Sequence, residues 1–184
     1  MSISPSPLTE NSKLRHIIES LTPGRPIKVL FVCLGNICRS PAAEGVLKDI
    51  VAAHGDEHMW MVDSAGTGRW HIGQLPDHRM RIHARRRGLE LDHHCRQVTV
   101  TDFEEFDIII PMDHSNLNDL MELAPSVEAQ QKLVPMATFL LQAPRYDYIP
   151  DPYYEGAAGF ELVLDLLSEG CEELYNIVTE LRNR

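Results

Sequence analysis

The stretch PIKVLFVCLGNICRSP, residues 26–41, decides the fold of this chain. Its first half is a continuous apolar and β-branched run, typical of a strand buried on both faces of a parallel sheet. Gly35 and Asn36 tolerate the left-handed backbone that a tight turn requires. Pro41 suits the first position of a helix, with Ser40 as its N-cap. The stretch therefore predicts a strand, a tight loop and a helix in succession.

Apolar patterns continue this alternation along the chain. Further strands are predicted in MWMVDSAG, FDIIIPM and KLVPMA, at residues 59–66, 106–112 and 132–137, and helices at residues 76–87, 101–106, 114–124 and 158–181. Alternating strands and helices predict a parallel α/β sheet covered on both faces. In such a sheet we expect the functional site beyond the carboxyl ends of the strands.

An extension of 25 residues precedes this pattern, so we assign residues 1–25 to it and residues 26–184 to a single domain. Residues 1–9 are rich in serine and proline, and we expect them to be poorly ordered. A short amphipathic helix ending at Pro23 and Gly24 is predicted from the spacing of Leu14, Ile17, Ile18 and Leu21.

Composition excludes several classes of function. The 184 residues suffice for one domain with a buried core. A net charge of −10 argues against a nucleic-acid surface, which needs a cationic patch. No apolar run approaches the ~18 residues of a membrane span, and the amino-terminal stretch does not match a secretory signal. We therefore expect no membrane insertion and a cytoplasmic location.

The four cysteines, Cys33, Cys38, Cys95 and Cys171, are too few for a disulfide framework. In a reducing compartment, a close pair such as Cys33 and Cys38 is more often catalytic or redox-active.

The loop from Cys33 to Arg39 predicts an anion site. Successive backbone N–H groups and a helix N-terminus attract a phosphate, and Arg39 can bind two of its oxygens. The same positive field favours the thiolate of Cys33, a nucleophile that can form a cysteinyl-phosphate. Ser40 can cap the helix or donate to this thiolate, and the sequence leaves both roles open. A Walker loop has glycines and a lysine instead, so nucleotide binding is disfavoured.

Asp151 is the candidate for a general acid that protonates the leaving oxygen and then activates water. It lies in the loop YIPDPYYEG between Pro150 and Pro152, which restrict the backbone. The alternative is that Asp-Pro only begins a turn.

Together these residues resemble the low-molecular-weight protein tyrosine phosphatases. VCLGNICRSP matches the family loop V-C-x-G-N-I-C-R-S-P at every fixed position, and DPYY matches its acid loop. The resemblance covers residues 28–178 and includes DSAGTGRWHIG, PDHR, HHCRQ, DFEEFDIII and MDHSNL. It implies a flavodoxin-like, doubly wound domain with a four-stranded parallel sheet. It also implies hydrolysis of protein phosphotyrosine without metal or cofactor.

The resemblance assigns roles to individual residues. Cys33 is the nucleophile, Arg39 the phosphate clamp and Asp151 the general acid. The phosphate-binding loop also contains Leu34, Gly35, Asn36, Ile37, Cys38 and Ser40. The walls of the substrate cleft are Leu34, Trp70, Tyr153 and Tyr154. A shell that orients the loop comprises Ser64, His93, Asp113 and Asn116. Stacked aromatic walls suit a phenyl ring, although the tyrosines could simply pack the loop.

Cys95 stands where the family often has alanine, so we interpret it as a small buried residue. The run His93-His94-Cys95 also suggests a metal, but adjacent ligands point apart, and we expect none.

Three alternatives remain. Phosphoarginine phosphatases tend to have threonine where this chain has Ile37. Thioredoxin-coupled arsenate reductases need a further close cysteine pair, whereas Cys95 and Cys171 are far apart in sequence. A non-catalytic phosphate-binding module would not require Cys33, Arg39 and Asp151 together.

Cys38 is not required by the reaction. We hypothesise that it forms a reversible disulfide with an oxidised Cys33 and so protects it. The oligomeric state stays open between a monomer and a weak dimer.

Overall fold

The computed structural model describes residues 7–141 and 146–184. Its sheet consists of three parallel strands, β1 (Ile27–Cys33), β2 (Trp60–Gly66) and β3 (Ile108–Pro111), in the order β2-β1-β3. The register places Cys33 beside Gly66, so β1 and β2 end together. The central strand β1 is buried along almost its whole length, as its apolar run predicted.

Seven α-helices surround the sheet in the described part of the chain. They are α1 (Pro7–Glu19), α2 (Arg39–Ala53), α3 (His78–Arg86), α4 (Asp102–Glu105), α5 (His114–Leu123), α6 (Val127–Gln130) and α7 (Ala157–Arg182). Short 3-10 helices cover Glu57–Met59 and Met136–Phe139. The helices predicted after β1 are confirmed, with ends that differ by a few residues.

No helix among the described residues combines the length and the apolar character needed to cross a bilayer.

The predicted fourth strand is wrong: the sheet has three strands. Residues 132–137 contribute one isolated bridge between Leu133 and Ile109, in which the Val134 N–H donates to the Ile109 carbonyl. Pro135 follows and has no N–H with which to extend the ladder. The chain then turns into the 3-10 helix Met136–Phe139. Residues 132–137 therefore add one β-bridge at the edge of the sheet and do not form a fourth strand.

Alternate side chains of β1 enter two hydrophobic clusters, one on each face of the sheet. Val29 and Phe31 join the larger cluster with α2 and α7, whereas Leu30 and Val32 join residues of α4, α5 and α6. Helices thus cover both faces, as predicted. The strand order reverses between β1 and β3, and a crevice outside the strand ends at such a switch point is where α/β sheets bind ligands.

The amino-terminal helix packs on the domain. Leu14 is fully buried, and Ile17 and Ile18 join the same core as α7. Lys13 Nζ donates to the Leu133 carbonyl at 2.9 Å. The predicted amphipathic helix is confirmed, but it begins at Pro7, so residues 7–9 are helical rather than poorly ordered. Residues 1–6 lie outside the described residues.

Candidate active site

The anion loop, residues 33–39, is held by hydrogen bonds to its carbonyl groups. The Cys33 and Leu34 carbonyls accept from the N–H groups of Thr67 and Gly68, and the Ile37 carbonyl accepts from Asp77 N–H at 2.7 Å. Within residues 7–141 and 146–184, no protein group accepts from the backbone N–H groups of residues 35–38. Those donors are available to an anion, as the sequence predicted.

Asn36 gives the loop its shape. It is fully buried with a left-handed φ of 57°. Its Nδ2 donates to the hydroxyls of Ser40 and Ser64 at 2.9 and 3.0 Å. Its Oδ1 accepts from Arg96 N–H at 2.9 Å and lies 3.0 Å from His93 Nε2. The side chain therefore fixes a turn that its backbone alone would adopt with strain.

Gly35 was predicted to share this left-handed conformation, but its φ is not positive. Its small size leaves room for His71, because a Cβ there would lie 3.2 Å from His71 Cδ2, closer than an ordinary van der Waals contact.

Ser40 serves the thiol and not the helix end. Its Oγ lies 3.0 Å from Cys33 Sγ and 3.2 Å from the Ala65 carbonyl. The predicted N-cap is wrong because α2 begins at Arg39, two residues before the predicted start at Pro41, with Cys38 at the cap position and no side-chain cap. Pro41 is thereby the third helical residue, where its missing N–H still has no helical partner. Of the two roles left open for Ser40, the geometry selects the contact with Cys33.

Arg39 is buried between the anion loop and the acid loop, which we define as residues 150–155. One terminal nitrogen donates to Asp113 Oδ2 at 2.6 Å and to the Ile149 carbonyl at 3.0 Å. The other lies 3.5 Å from Asp151 Oδ2. Burial opposes the charge, but the negative charge of Cys33 and the hydrogen bond with Asp113 outweigh it and raise the pKa of Arg39. The guanidinium is thus a fixed cation.

Asp113 orients this cation because it is itself fixed at the start of α5. Its Oδ1 accepts from Asn116 N–H at 2.7 Å, which makes it the N-cap of α5. The two shell residues predicted here, Asp113 and Asn116, therefore act together, with only Asp113 in contact with Arg39.

Asp151 both begins a turn and faces Arg39. Its Oδ1 accepts from Tyr153 N–H at 3.1 Å, and its Oδ2 is the oxygen beside Arg39. The side chain is 43% exposed, so it can exchange protons with solvent. The predicted turn at Asp-Pro is present, and it leaves the second carboxylate oxygen beside Arg39.

One open cleft of about 210 Å³ collects the predicted residues. Cys33 and Arg39 lie among its lining residues with Ile37, Cys38 and Asp151. All four predicted wall residues, Leu34, Trp70, Tyr153 and Tyr154, line it as well. The rings of Tyr153 and Tyr154 meet edge to face with centroids 4.9 Å apart. His71 also lines the cleft, and its position after Trp70 is the one sequence feature that could have indicated it.

The comparisons with known proteins agree with this geometry. The family model for low molecular weight phosphotyrosine protein phosphatase matches residues 28–184. The chain belongs to this family. The resemblance drawn from the sequence is thereby confirmed, and the family is one of cysteine-dependent phosphatases.

Individual relatives share most of their length with this phosphatase. The low molecular weight protein-tyrosine-phosphatase YfkJ of Bacillus subtilis is 42% identical over 149 residues, covering 80% of this chain and 93% of the relative. A solved protein tyrosine phosphatase from Entamoeba histolytica is 42% identical, with a TM-score of 0.80 and 84% and 97% of the two chains covered. A solved Drosophila arginine phosphatase is 35% identical, with a TM-score of 0.76 and coverage of 82% and 96%.

A buried polar network supports the anion loop of the phosphatase from below. Ser64 Oγ donates to Glu44 Oε2 at 2.6 Å, and His93 Nδ1 lies 3.3 Å from the same oxygen. Both Ser64 and His93 also contact Asn36, so the predicted shell residues meet at one side chain. Glu44 was not among the predicted site residues, because its position inside α2 carries no distinguishing local signal.

The same network contains a cluster of three side chains that could bind a metal ion, Glu44, Asp63 and His93. Ligand atoms of Glu44, Asp63 and His93 lie within 4.8 Å of one another. Hydrogen bonds already occupy them: Asp63 binds Arg96, and Glu44 binds Ser64 and Lys48. We interpret the cluster as the support of the anion loop.

The three other thiols are buried at separate places. Burial, followed by the charge of Asp77, raises the pKa of Cys38, and burial raises that of Cys171. Burial and the charge of Cys33 raise the pKa of Cys95 to about 11. Cys95 is a small buried residue as interpreted from the sequence, and its Sγ donates to the Asn36 carbonyl at 2.8 Å.

Proposed function

We propose that this phosphatase hydrolyses phosphotyrosine in proteins through a cysteinyl-phosphate on Cys33. The observation that carries the proposal is the convergence of the Cys33 thiol, the buried Arg39 and the Asp151 carboxyl on one cleft. The available N–H groups of the anion loop complete a site for a phosphate dianion. Thiolate, cation and acid are the three groups that such a displacement needs.

In the first step, Cys33 Sγ attacks phosphorus while the bond from phosphorus to the phenolic oxygen breaks. Asp151 as the carboxylic acid donates its proton to that oxygen, so that tyrosine leaves as the neutral phenol. Arg39 and the loop N–H groups bind the equatorial oxygens, where negative charge is spread in the transition state.

In the second step, the Asp151 carboxylate takes a proton from water as the water oxygen attacks phosphorus. The phosphorus–sulfur bond breaks and releases inorganic phosphate and the Cys33 thiolate. Ser40 Oγ, 3.0 Å from Cys33 Sγ, is placed to donate to that thiolate as it leaves.

The shape of the cleft supports an aryl substrate. Trp70 and Tyr154 are 69% and 94% exposed, so their ring surfaces are available to a substrate. Aromatic rings pack against a phenyl group by offset stacking or edge contacts. Cys33 and Arg39 line the same cleft as these rings, so a phosphate carried on a phenyl ring suits the site better than phosphoserine, which has no ring to stack.

Phosphoarginine is the second candidate, favoured by the solved arginine phosphatase of Drosophila. Ile37 opposes it, because this cleft residue offers no hydroxyl to a guanidinium-linked phosphate. The test is to compare phosphotyrosine and phosphoarginine peptides on wild type and Ile37→Thr. We expect wild type to prefer phosphotyrosine, and a clear preference for phosphoarginine would overturn this assignment.

Arsenate reduction and simple phosphate binding are weaker candidates. A thioredoxin-coupled reductase needs a close cysteine pair, whereas Cys95 and Cys171 donate to different carbonyls, those of Asn36 and Ala43. A binding module would have no use for an acid at Asp151.

The deciding experiment is hydrolysis of p-nitrophenyl phosphate in the presence of a chelator. We expect Cys33→Ser to abolish turnover and Asp151→Ala to lower kcat by about 10²- to 10³-fold. Cys171→Ala, which changes a buried thiol outside the cleft, is the matched control and should remain active. Undiminished turnover in Cys33→Ser would contradict the mechanism.

We further propose that Cys38 protects Cys33 by forming a reversible disulfide, in a cytoplasmic protein that otherwise keeps its thiols reduced. Both thiols line the cleft and are free in the structure. Peroxide should inactivate wild type reversibly and Cys38→Ser irreversibly, with recovery measured after added dithiothreitol. Equal recovery in both proteins would refute this role.

A further inference from the structure

Arg79 contacts two aromatic rings, one in the acid loop and one at the start of α7. It is the second residue of α3, and its Cζ is 5.3 Å from the centroid of the Tyr153 ring and 4.9 Å from that of Phe160. Both distances are within the range of an attractive cation–π contact. Tyr153 belongs to the acid loop and Phe160 to the first turns of α7, so one guanidinium contacts the chain on both sides of residues 154–159.

The two rings differ in mobility: Phe160 is held in the core, and Tyr153 belongs to the acid loop and contacts Asp151. Phe160 is fully buried and stacks on His83 with centroids 5.5 Å apart, so it does not move with the loop. Tyr153 is partly exposed, and its N–H donates to Asp151 Oδ1. Holding the Tyr153 ring therefore restricts the Asp151 carboxyl through the intervening backbone.

The other side of Arg79 is tied to the anion loop. Its Nε and one terminal nitrogen donate to the two oxygens of Asp77 at 3.1 and 3.0 Å. The Asp77 N–H in turn donates to the Ile37 carbonyl at 2.7 Å. Burial would raise the pKa of Asp77, but the hydrogen bonds from Arg79 outweigh it and lower that pKa, so the pair stays ionised at acidic pH.

The acid loop has few other restraints. Apart from Pro152, residues 151–155 are exposed, so little packing fixes the Asp151 carboxyl. Among the described residues, the polar partners of this carboxyl are the Tyr153 N–H and the Arg39 guanidinium, 3.5 Å away. The guanidinium is also the group that has to bind the phosphate. A general acid contributes only when it lies within hydrogen-bond reach of the leaving oxygen.

We propose that Arg79 is a positioning residue for the general acid. It joins the anion loop, through Asp77, to the Asp151 carboxyl, through Tyr153. The inference rests on the proposed function, in which Asp151 protonates the leaving group.

The test measures kcat/KM for aryl phosphates whose leaving phenols range from strongly acidic to unsubstituted. General acid catalysis matters most for the poorest leaving group, because that oxygen most needs a proton. We expect Arg79→Met to lower kcat/KM on the order of fivefold for phenyl phosphate and to leave 2,4-dinitrophenyl phosphate almost unchanged. Arg79→Lys, which retains a cation, should recover part of the loss.

Arg85→Met is the matched control. Arg85 lies on the same helix and pairs with Glu90 through the same two nitrogens, at 3.1 and 2.8 Å, on the exposed surface. The Arg85→Met variant removes one positive charge, as Arg79→Met does, and should not change kcat/KM for either substrate. Thermal unfolding of each variant identifies any general loss of stability. A fall of equal size for both substrates in Arg79→Met would overturn the inference.

A double variant separates this inference from the proposed function. If Arg79 acts through the acid, adding Arg79→Met to Asp151→Asn should not lower kcat/KM for phenyl phosphate further. An equal loss in both backgrounds would refute the positioning role while leaving the acid in place. If Asp151→Asn alone leaves phenyl phosphate hydrolysis unchanged, the assigned acid is wrong and the inference falls with it.

Discussion

Leu14→Ala should lower the free energy of unfolding by about 3 kcal/mol, although Leu14 lies in the amino-terminal extension. The side chain is fully buried in the core shared with α7, so its truncation leaves a cavity as well as losing apolar contact. Alanine forms helix at least as well as leucine, so α1 itself is not weakened. The loss of stability therefore reports the packing of α1 on the domain.

The assay is thermal unfolding of the full chain, followed by circular dichroism. For a domain of this size, about 3 kcal/mol corresponds to a fall in Tm of about 6–12 °C. Arg15→Ala, at the adjacent exposed position of α1, should stay within about 0.5 kcal/mol of wild type. Phosphatase activity below the transition should not change, since Leu14 is outside the cleft. Coinciding transitions of Leu14→Ala and wild type would refute the packing of α1.

Two further predictions concern the anion loop and the thiols. Gly66→Ala would place a Cβ 2.7 Å from the Leu34 carbonyl oxygen. This variant should therefore displace the anion loop and lower kcat/KM by about 100-fold. The control is Gly156→Ala, whose Cβ meets nothing within 4 Å and should leave kcat/KM unchanged. An active Gly66→Ala would show that the loop tolerates the shift. Burial raises the pKa of Cys95 to about 11 and also raises those of Cys38 and Cys171, so these thiols should react slowly near pH 7. Iodoacetate should therefore modify Cys33 alone, and inorganic phosphate should protect it. Peptide mass spectrometry checks this, and earlier modification of Cys95 would contradict it.

The sequence predicted the convergence of the site because parallel strands bring their carboxyl ends to one edge. Cys33 ends β1, and the stretch after β2 and the loop before α7 meet it there. A local pattern sufficed for the anion loop, since strand, turn and helix signals lie within residues 26–41. The acid role of Asp151 needed the family resemblance, because its own loop favours a simple turn.

The errors arose where tertiary contacts decide between local options. Apolar residues 132–137 fit a strand, but Pro135 and the sheet edge limit them to one bridge. Ser40 fits an N-cap, but the thiol of Cys33 and the amide of Asn36 compete for its hydroxyl. Contacts between distant segments, such as Arg79 with Tyr153, leave no periodic signal and were found only in the structure.

In the proposed mechanism the phosphoryl group passes through Cys33. Rapid acid quenching of turnover with phenyl phosphate, followed by mass spectrometry of the digested protein, tests this step. We expect a phosphoryl adduct on the peptide that contains Cys33, absent in Cys33→Ser. We expect more of that adduct in Asp151→Asn for a substrate with a good leaving group, because the second step then lacks its base. Steady turnover with no adduct on Cys33, or with the phosphoryl group on another residue, would rule out Cys33 as the nucleophile.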